Sequence, residues 1–450
     1  MTLPKKIHMV GIGGIGMSAL AQLLVRKGVQ VSGTDRDMSP TTELLETQGI
    51  TVHIGHSAEA MRNDVELLVY SDAIPKDGPE RTKAREKGIP EKSYFAMLGE
   101  VTKGVRTIAV AGTHGKTTTT GMLAHVLKEA GENPSAIVGS IVRDFDLYRT
   151  SAVGQTPHGG VVGSNYLPGR DDLLVVEACE YKDHLLELSP EILVITNLEL
   201  DHTDHFPNLA ALQETFKKAV ARVPVSGAII ANPHDAAVAA VLTVAQAPII
   251  DYTKEFVPEL PLIGEFNKEN ARAAKAAARA AFPQLDDAVA NTALTSFKGS
   301  WRRFEYKGKT KTGALIYDDY AHHPTAVAKT IAATRERFPG MRIVVAFHPH
   351  LYSRTRDFMS EFAQALATAD EVILAPIYAA REQPIEGVTS EKLAEKIVAL
   401  GTPARAIASF DEVYLYLTHT CNLTPTTLLL TMGAGDIYKV AGRLVVPEVL

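Results

Sequence analysis

The chain has 450 residues, enough for about three domains of ordinary size. Hydrophobic residues make up 46% and charged residues 22%, which excludes a disordered polymer, and a net charge of −6 with a pI near 6.2 excludes a nucleic-acid surface spread over the whole molecule. Two cysteines, Cys179 and Cys421, cannot build a disulfide framework, and no apolar run reaches the length of a membrane span, so the expectation is a soluble cytoplasmic protein that binds neither nucleic acid nor membrane.

Lys5-Lys6 is followed by a short apolar run at 7–10 and then by glycines, which reads as a first strand and not as a signal peptide. Gly11-Ile-Gly13-Gly14-Ile-Gly16 follows, and residues 17–27 are predicted as a helix. This is a G-x-G-x-x-G turn in its proper setting, where glycines let the backbone approach a diphosphate at a helix N-terminus. The next strand, predicted at 29–34, ends at Asp35, at the spacing of an acid that meets a ribose. A nicotinamide dinucleotide is the first ligand this pattern suggests. Another nucleotide diphosphate, or glycines present only for close packing, would give the same pattern. Strands are predicted at 51–54 and 67–70. Ser71-Asp72-Ala73-Ile74 then lies at a strand's C-terminal end, where open α/β sheets carry ligand loops.

Residues 107–120, TIAVAGTHGKTTTT, organise the middle of the chain. A buried strand at 108–111 runs into Gly112-Thr113-His114-Gly115-Lys116-Thr117-Thr118, with a helix opening at about 118 and running to 129. Backbone N–H groups of such a turn cradle phosphates, the Lys reaches the terminal ones, and the Thr hydroxyl can ligate Mg²⁺. Val110 stands where the general P-loop has its first Gly, so the loop is a short variant. Buried strands at 173–177 and 192–197 lead to Glu177 and to Asp201-His202-Thr203-Asp204. Glu177 and His202, with Thr117, are therefore candidate ligands for a phosphate-bound Mg²⁺ or Mn²⁺. Glu177 could also be an exposed strand-end acid, His202 a structural histidine, and Asp201 or Asp204 helix N-caps. Cys179 reads as a small packing residue. A strand at 227–231 precedes an Ala-rich helix ending at 281. Asn267 and Asn270 lie on one face of that helix, as adenine-reading amides or as N-caps.

Residues 300–305 read as a linker into a last domain. There a strand at 314–317 leads to Asp318-Asp319-Tyr320-Ala321-His322-His323-Pro324. A strand at 342–347 leads to His348-Pro349-His350-Leu351-Tyr352-Ser353-Arg354, and further strands at 371–375 and 427–432 precede Gly433-Ala434-Gly435-Asp436. Alternating strands and helices imply parallel sheets. A diphosphate cradle, a triphosphate loop and a third domain rich in acids, His and Arg together suit an ATP-driven condensation.

The motifs GIGGIGMS, GTHGKTTTT, TNLELDH, YDDYAHHPT, HPHLYSRT and MGAGDI occur in an order that resembles the Mur ligases of bacterial peptidoglycan synthesis, over essentially the whole chain. The resemblance implies an α/β fold of three domains. Residues 1–104 would be a Rossmann-like domain binding a UDP-sugar through Gly13, Gly14, Ile15, Gly16, Met17, Asp35, Ser71, Asp72, Ala73 and Ile74. Residues 105–299 would be a central P-loop-type ATPase domain with a mainly parallel sheet. Residues 300–450 would be a C-terminal Rossmann-like domain binding the amino acid. It further implies that Gly112, Thr113, His114, Gly115, Lys116, Thr117, Thr118, Asn267, Asn270, Arg303 and Asp318 hold ATP, that Thr117, Glu177 and His202 hold the metal, and that His323, His350, Tyr352 and Arg354 meet the amino acid. Lys116, Glu177, His202, His323 and Arg354 would carry the chemistry.

The implied reaction joins L-alanine to the lactyl carboxylate of UDP-N-acetylmuramate through an acyl phosphate, with His323 or a nearby carboxylate taking the amine's proton, in a monomer or weak homodimer. The related ligase that recycles a murein tripeptide is the alternative. The chain departs from the family pattern at Cys179-Glu180-Tyr181, at Phe266 where His is usual, and at His348 and Leu351 where Gln and Arg are usual. At the position of the carbamylated lysine of sister ligases stands Phe216, with Lys217 adjacent, so no such modification is expected.

Overall fold

Mostly apolar, fully buried runs form the centres of the sheets. Ile192–Ile195, Ala228–Ala231 and Thr427–Met432 are buried at every position, as strands covered on both faces by helices must be. The structure is a computed structural model that describes residues 3–145, 163–380 and 382–446; the expected outer domain limits at 1 and 450 lie outside the described residues. It contains three sheets of five, seven and six strands.

The first sheet runs Thr51–Ile54, Gln30–Asp35, Lys6–Val10, Leu67–Tyr70, Glu91–Ser93 in space, all parallel. The second runs Ile249–Asp251, Ala228–Ala231, Ile192–Ile195, Arg106–Ala111, Arg170–Glu177, Pro134–Val142, Ser164–Leu167, and only its last pair is antiparallel. The third runs Glu305–Lys309, Leu315–Asp319, Thr427–Met432, Arg342–Phe347, Glu371–Leu374, Ala404–Ala406, antiparallel only at its first pair. The chain is thus α/β, with three mainly parallel sheets among the described residues.

The chain folds as two compact units. One comprises Met1–Leu198, Leu212–Pro258 and Glu269–Trp301 and holds the first two sheets; the other comprises Glu199–Ala211, Glu259–Lys268 and Arg302–Leu450 and holds the third. Inside the first unit, Nε2 of Gln22 donates to Oδ1 of Asn165 at 3.2 Å and Nη2 of Arg26 donates to the Gly169 carbonyl at 2.8 Å. One helix, Ile15–Arg26, therefore serves both sheets. In the second unit, alternate residues of Arg342–Phe347 feed two cores. Ile343, Val345 and Phe347 meet Val327, Ile331 and Phe362 on one face, and Val344 and Ala346 meet Val413, Leu417 and Val440 on the other.

Several expected boundaries move. The helix after the first glycines begins at Ile15, and the helix after the phosphate loop begins at Lys116, because Gly115 in the left-handed region ends the turn immediately before it. Asp318 and Asp319 close a strand and are not loop residues. Arg302, expected in a linker, is buried.

Candidate active site

Strand Arg106–Ala111 delivers the chain into the turn Gly112–Gly115, and helix Lys116–Glu129 leaves it. Both glycines are required by the geometry. Gly112 has φ 125° and Gly115 φ 82°, and a Cβ would lie 2.2 Å from Thr196 Oγ1 and from Asn270 Oδ1, respectively. Asn197 shapes the turn. Its carbonyl accepts the Thr113 N–H and its Oδ1 the His114 N–H, both at 3.0 Å, while its Nδ2 donates to the His114 carbonyl at 3.0 Å.

Nζ of Lys116 donates to the carbonyl of Gly112 (2.5 Å), the carbonyl of Thr113 (3.2 Å) and Oε1 of Glu180 (2.9 Å). Burial works to lower the Lys116 pKa, but the carboxylate of Glu180 outweighs it and holds the ammonium above its ordinary value. The Thr117 hydroxyl donates to Oε1 of Glu177 at 3.0 Å, and Oε2 of Glu177 accepts the Gly139 N–H at 2.7 Å. Glu177 is therefore anchored beside the loop. A hydroxyl and a carboxylate side by side are hard oxygen donors of the kind Mg²⁺ prefers, so the residues present fit that ion. Asn270 packs on the loop as well, with Oδ1 accepting from the Thr119 hydroxyl at 3.3 Å. Burial pushes the Cys179 thiol up to about 12. It is a neutral thiol and no nucleophile.

At the N-terminal turn, the Gly13 N–H donates to Oδ2 of Asp35 at 2.8 Å. The acid expected to meet a ribose thus grips the glycine turn itself. A Cβ at Gly13 would come within 2.7 Å of Thr42 Cγ2, and one at Gly16 within 2.7 Å of the Tyr94 ring. Gly14 is the N-cap of the helix, and Ile15 and Met17 lie in its first turn. Ser71, Asp72, Ala73 and Ile74 form a turn closed by Ile74 N–H to the Ser71 carbonyl at 2.8 Å. Asp72 pairs with Nε2 of His184 at 2.8 Å, and that imidazole stacks on Phe95 at 3.7 Å between centroids.

The second unit carries the other expected residues. Asp201 is buried and paired with Arg354, whose Nη1 donates to Nδ1 of His350 at 3.1 Å. Asp201 is not a helix cap. The helix after it, Leu209–Arg222, starts eight residues later, and Oδ1 of Asn208 accepts the Ala211 N–H there. His202 has φ 54° and donates its N–H to Oδ1 of Asp201 at 2.7 Å. Nδ1 of His323 accepts the Thr325 N–H at 3.3 Å and so caps helix Pro324–Arg337. Tyr352 opens the short helix Tyr352–Asp357 that carries Arg354.

Asp318 is fully buried, and its carboxylate accepts from Nε of Arg302 at 2.7 Å and from the Thr431 hydroxyl at 2.6 Å. Arg302 also donates to the carbonyls of Gly433 and Gly435 at 2.6 and 2.8 Å. Its neighbour Arg303, expected to face phosphate, lies over the Tyr320 ring at 5.1 Å. Asn267 sits inside helix Glu265–Ala281, with Nδ2 donating to the Ile263 carbonyl at 2.8 Å, so neither it nor Asn270 is an N-cap. Phe216 is fully buried, and Lys217 pairs with Glu214.

The family profiles "Mur ligase family, catalytic domain", "Mur ligase middle domain" and "Mur ligase, glutamate ligase domain" match residues 6–106, 110–257 and 302–435. The UDP-N-acetylmuramate–L-alanine ligase of Clostridium kluyveri is 35% identical over 97% of this chain and 97% of that protein, and that of Salinibacter ruber is 37% identical over 98% and 94%. This chain belongs to the Mur ligase family. Among solved structures, the UDP-N-acetylmuramate–alanine ligase of Thermotoga maritima superposes with a TM-score of 0.77 at 27% identity, covering 98% of both chains. A murein peptide ligase of Psychrobacter arcticus gives 0.68 at 25%, again over 98% of both.

In this Mur ligase the phosphate-loop residues, Glu177 and Asn270 come together in the first unit, and Asp201, His322, His350 and Arg354 in the second. Sequence reasoning passed over Asn197 and Glu180. Each stands just beyond a buried strand, and that position was the available signal.

Proposed function

We propose that the chain is an ATP-dependent ligase that joins L-alanine to the lactyl carboxylate of UDP-N-acetylmuramate, releasing ADP and phosphate. The observation that carries this reading is the phosphate loop with its lysine, threonine and anchored Glu177, in a chain whose relatives over nearly their full length are ligases of that name. The murein tripeptide ligase is the rival substrate assignment, and the relatives' names favour L-alanine.

In this reading residues 1–104 bind the UDP-sugar, 105–299 bind ATP, and 300–450 bind the amino acid. A carboxylate oxygen of the sugar attacks the γ-phosphorus and ADP leaves, giving an acyl phosphate. The amine then attacks the acyl carbon and expels phosphate. The first step is positioning and charge neutralisation, which the loop N–H groups and Lys116 supply. Thr117 and Glu177 would hold Mg²⁺; when bound there the ion would offset the charge of the phosphate oxygens. Arg354, held by Asp201, would meet the amino acid's carboxylate. Among the described residues no helix is long and apolar enough to cross a membrane, and we place the enzyme in the cytoplasm as a monomer or weak homodimer.

The test is phosphate release from ATP and Mg²⁺ with UDP-N-acetylmuramate, comparing L-alanine, glycine, L-serine and the murein tripeptide. Release that needs both the UDP-sugar and L-alanine supports the reading. Release with the tripeptide alone reassigns the second substrate, and no release with any of them removes the reading.

A further inference from the structure

His322 and His323 are neighbours whose surroundings give them opposite capacities. An imidazole takes up a proton only through a ring nitrogen with an available lone pair. In His323, Nδ1 accepts the Thr325 N–H, so Nε2 carries the hydrogen and points it at the Leu200 carbonyl, 3.2 Å away. In His350, Nδ1 faces Nη1 of Arg354 at 3.1 Å, and a guanidinium only donates, so that lone pair is engaged as well. His348 is buried edge-on to Tyr378 and Phe410, with Nδ1 turned toward Gly435. His322 is arranged the other way round. Its Nδ1 lies 2.9 Å from the Tyr320 carbonyl oxygen, which can only accept. The hydrogen-bond network therefore assigns the hydrogen to Nδ1 and the lone pair to Nε2, in a ring that is only partly buried.

We infer that His322, through Nε2, is the proton acceptor for the incoming amine during amide formation, an inference that rests on the ligase reading above. The amino acid arrives as an ammonium ion and passes one proton to Nε2 to become a nucleophile; the imidazolium is stabilised by the Tyr320 carbonyl at Nδ1–H before it returns the proton to solvent. Its nitrogen then bonds to the acyl carbon, the bond from that carbon to the phosphate oxygen breaks, and phosphate leaves with the electron pair. The second nitrogen proton passes to the departing phosphate.

The charged and titratable groups that face His322 are Arg354, Asp201 and His350. Burial, and after it the Arg354 guanidinium, hold the imidazole well below the ordinary histidine range, so the ring is neutral before the amino acid binds. An amino-acid carboxylate placed against Arg354 would offset that positive charge and make Nε2 more basic when a base is needed.

The test uses His322→Asn in the full chain, because the Asn amide can still donate to the Tyr320 carbonyl while the basic nitrogen is lost. Two reactions are read. Positional isotope exchange in ATP with UDP-N-acetylmuramate and no amino acid reports acyl-phosphate formation. Amide formation is then compared for L-alanine and for hydroxylamine, whose nitrogen is already unprotonated at neutral pH. The expected result is normal exchange, a loss of roughly 100-fold with L-alanine, and a much smaller loss with hydroxylamine. Turnover with L-alanine within about threefold of the parent overturns the assignment. So does loss of exchange in a folded variant, which would place His322 in phosphoryl transfer. Absence of exchange in the parent protein would instead remove the ligase reading, and this inference with it.

Discussion

Asp201 and Arg354 are 153 positions apart, and a single carboxylate oxygen joins them, accepting from Nε at 3.1 Å and from Nη2 at 2.6 Å. Burial pushes the Asp201 pKa up, but the Arg354 guanidinium and the nearby imidazoles outweigh it and hold the carboxyl well below the usual carboxylate range. Removing one partner of a buried pair typically costs about 3–5 kcal/mol. Asp201→Asn should therefore lower stability by an amount of that order and raise the KM for L-alanine as Arg354 loses its anchor. The folded pKa is depressed, so this contribution is present above the unfolded value near 4 and is lost as pH falls through the folded one. Urea midpoints at pH 7 and below pH 4 check the sign: the two proteins should differ less in acid.

Lys116 tests the phosphate loop. The alanine variant should lose ligase activity by roughly a thousandfold, because the ammonium acts on developing phosphate charge. It should also be less stable than a surface substitution would make it, since Glu180 is buried and Lys116 is the cation beside it. The double variant Lys116→Ala/Glu180→Gln should regain stability and remain inactive. Near-normal phosphate release from the single variant would sink the assignment of the loop.

The centres of the sheets were legible and their edges were not. Runs such as 192–195 and 427–432 are mostly apolar and buried at every position because both faces are covered, so sequence and structure agree there to within two residues. Edge strands Glu91–Ser93 and Ala404–Ala406 have no buried residue, which leaves no period to read. Site residues divide in the same way. Lys116, Thr117 and Glu177 stand out in the sequence because a strand end and a glycine turn announce them, and the fold sets Thr117 and Glu177 side by side. Asp35 was found by its spacing, but its partner is the glycine turn, and spacing cannot show which hydrogen-bond donor a carboxylate has accepted. Asn197 and the pairing of Asp201 with Arg354 depend on groups brought together only by the fold.

Gly115→Ala separates the two nucleotide-type motifs. The position has φ 82° and a Cβ there would lie 2.2 Å from Asn270 Oδ1. The turn and Asn270 must shift together, and a misplacement near 1 Å can cost roughly 100-fold in turnover. Calorimetric titration should show weakened ATP binding with UDP-sugar affinity retained, because the turn at Gly11–Gly16 has its own anchor in Asp35.

Glu177→Ala removes the acceptor of both the Thr117 hydroxyl and the Gly139 N–H. The Mg²⁺ concentration for half-maximal phosphate release should rise by roughly 10- to 100-fold. An unchanged Mg²⁺ titration would count against Glu177 as a metal-site residue.

His8 offers a test of acid stability away from the expected ligand residues. Its ring is fully buried in the central strand of the first sheet, with Nδ1 at 3.0 Å from the Ser32 hydroxyl. Burial, helped by His53 and Lys83, lowers its pKa to about 4. The unfolded chain binds a proton near 6.5, so the neutral buried ring contributes its full stability above that pH and loses it as pH falls through 4. The contribution at stake is about 3 kcal/mol. His8→Asn keeps a polar group near Ser32 and cannot titrate. Its urea midpoint should fall less than the parent's between pH 7 and pH 4.5, and parallel losses in the two proteins would show that His8 is not held neutral.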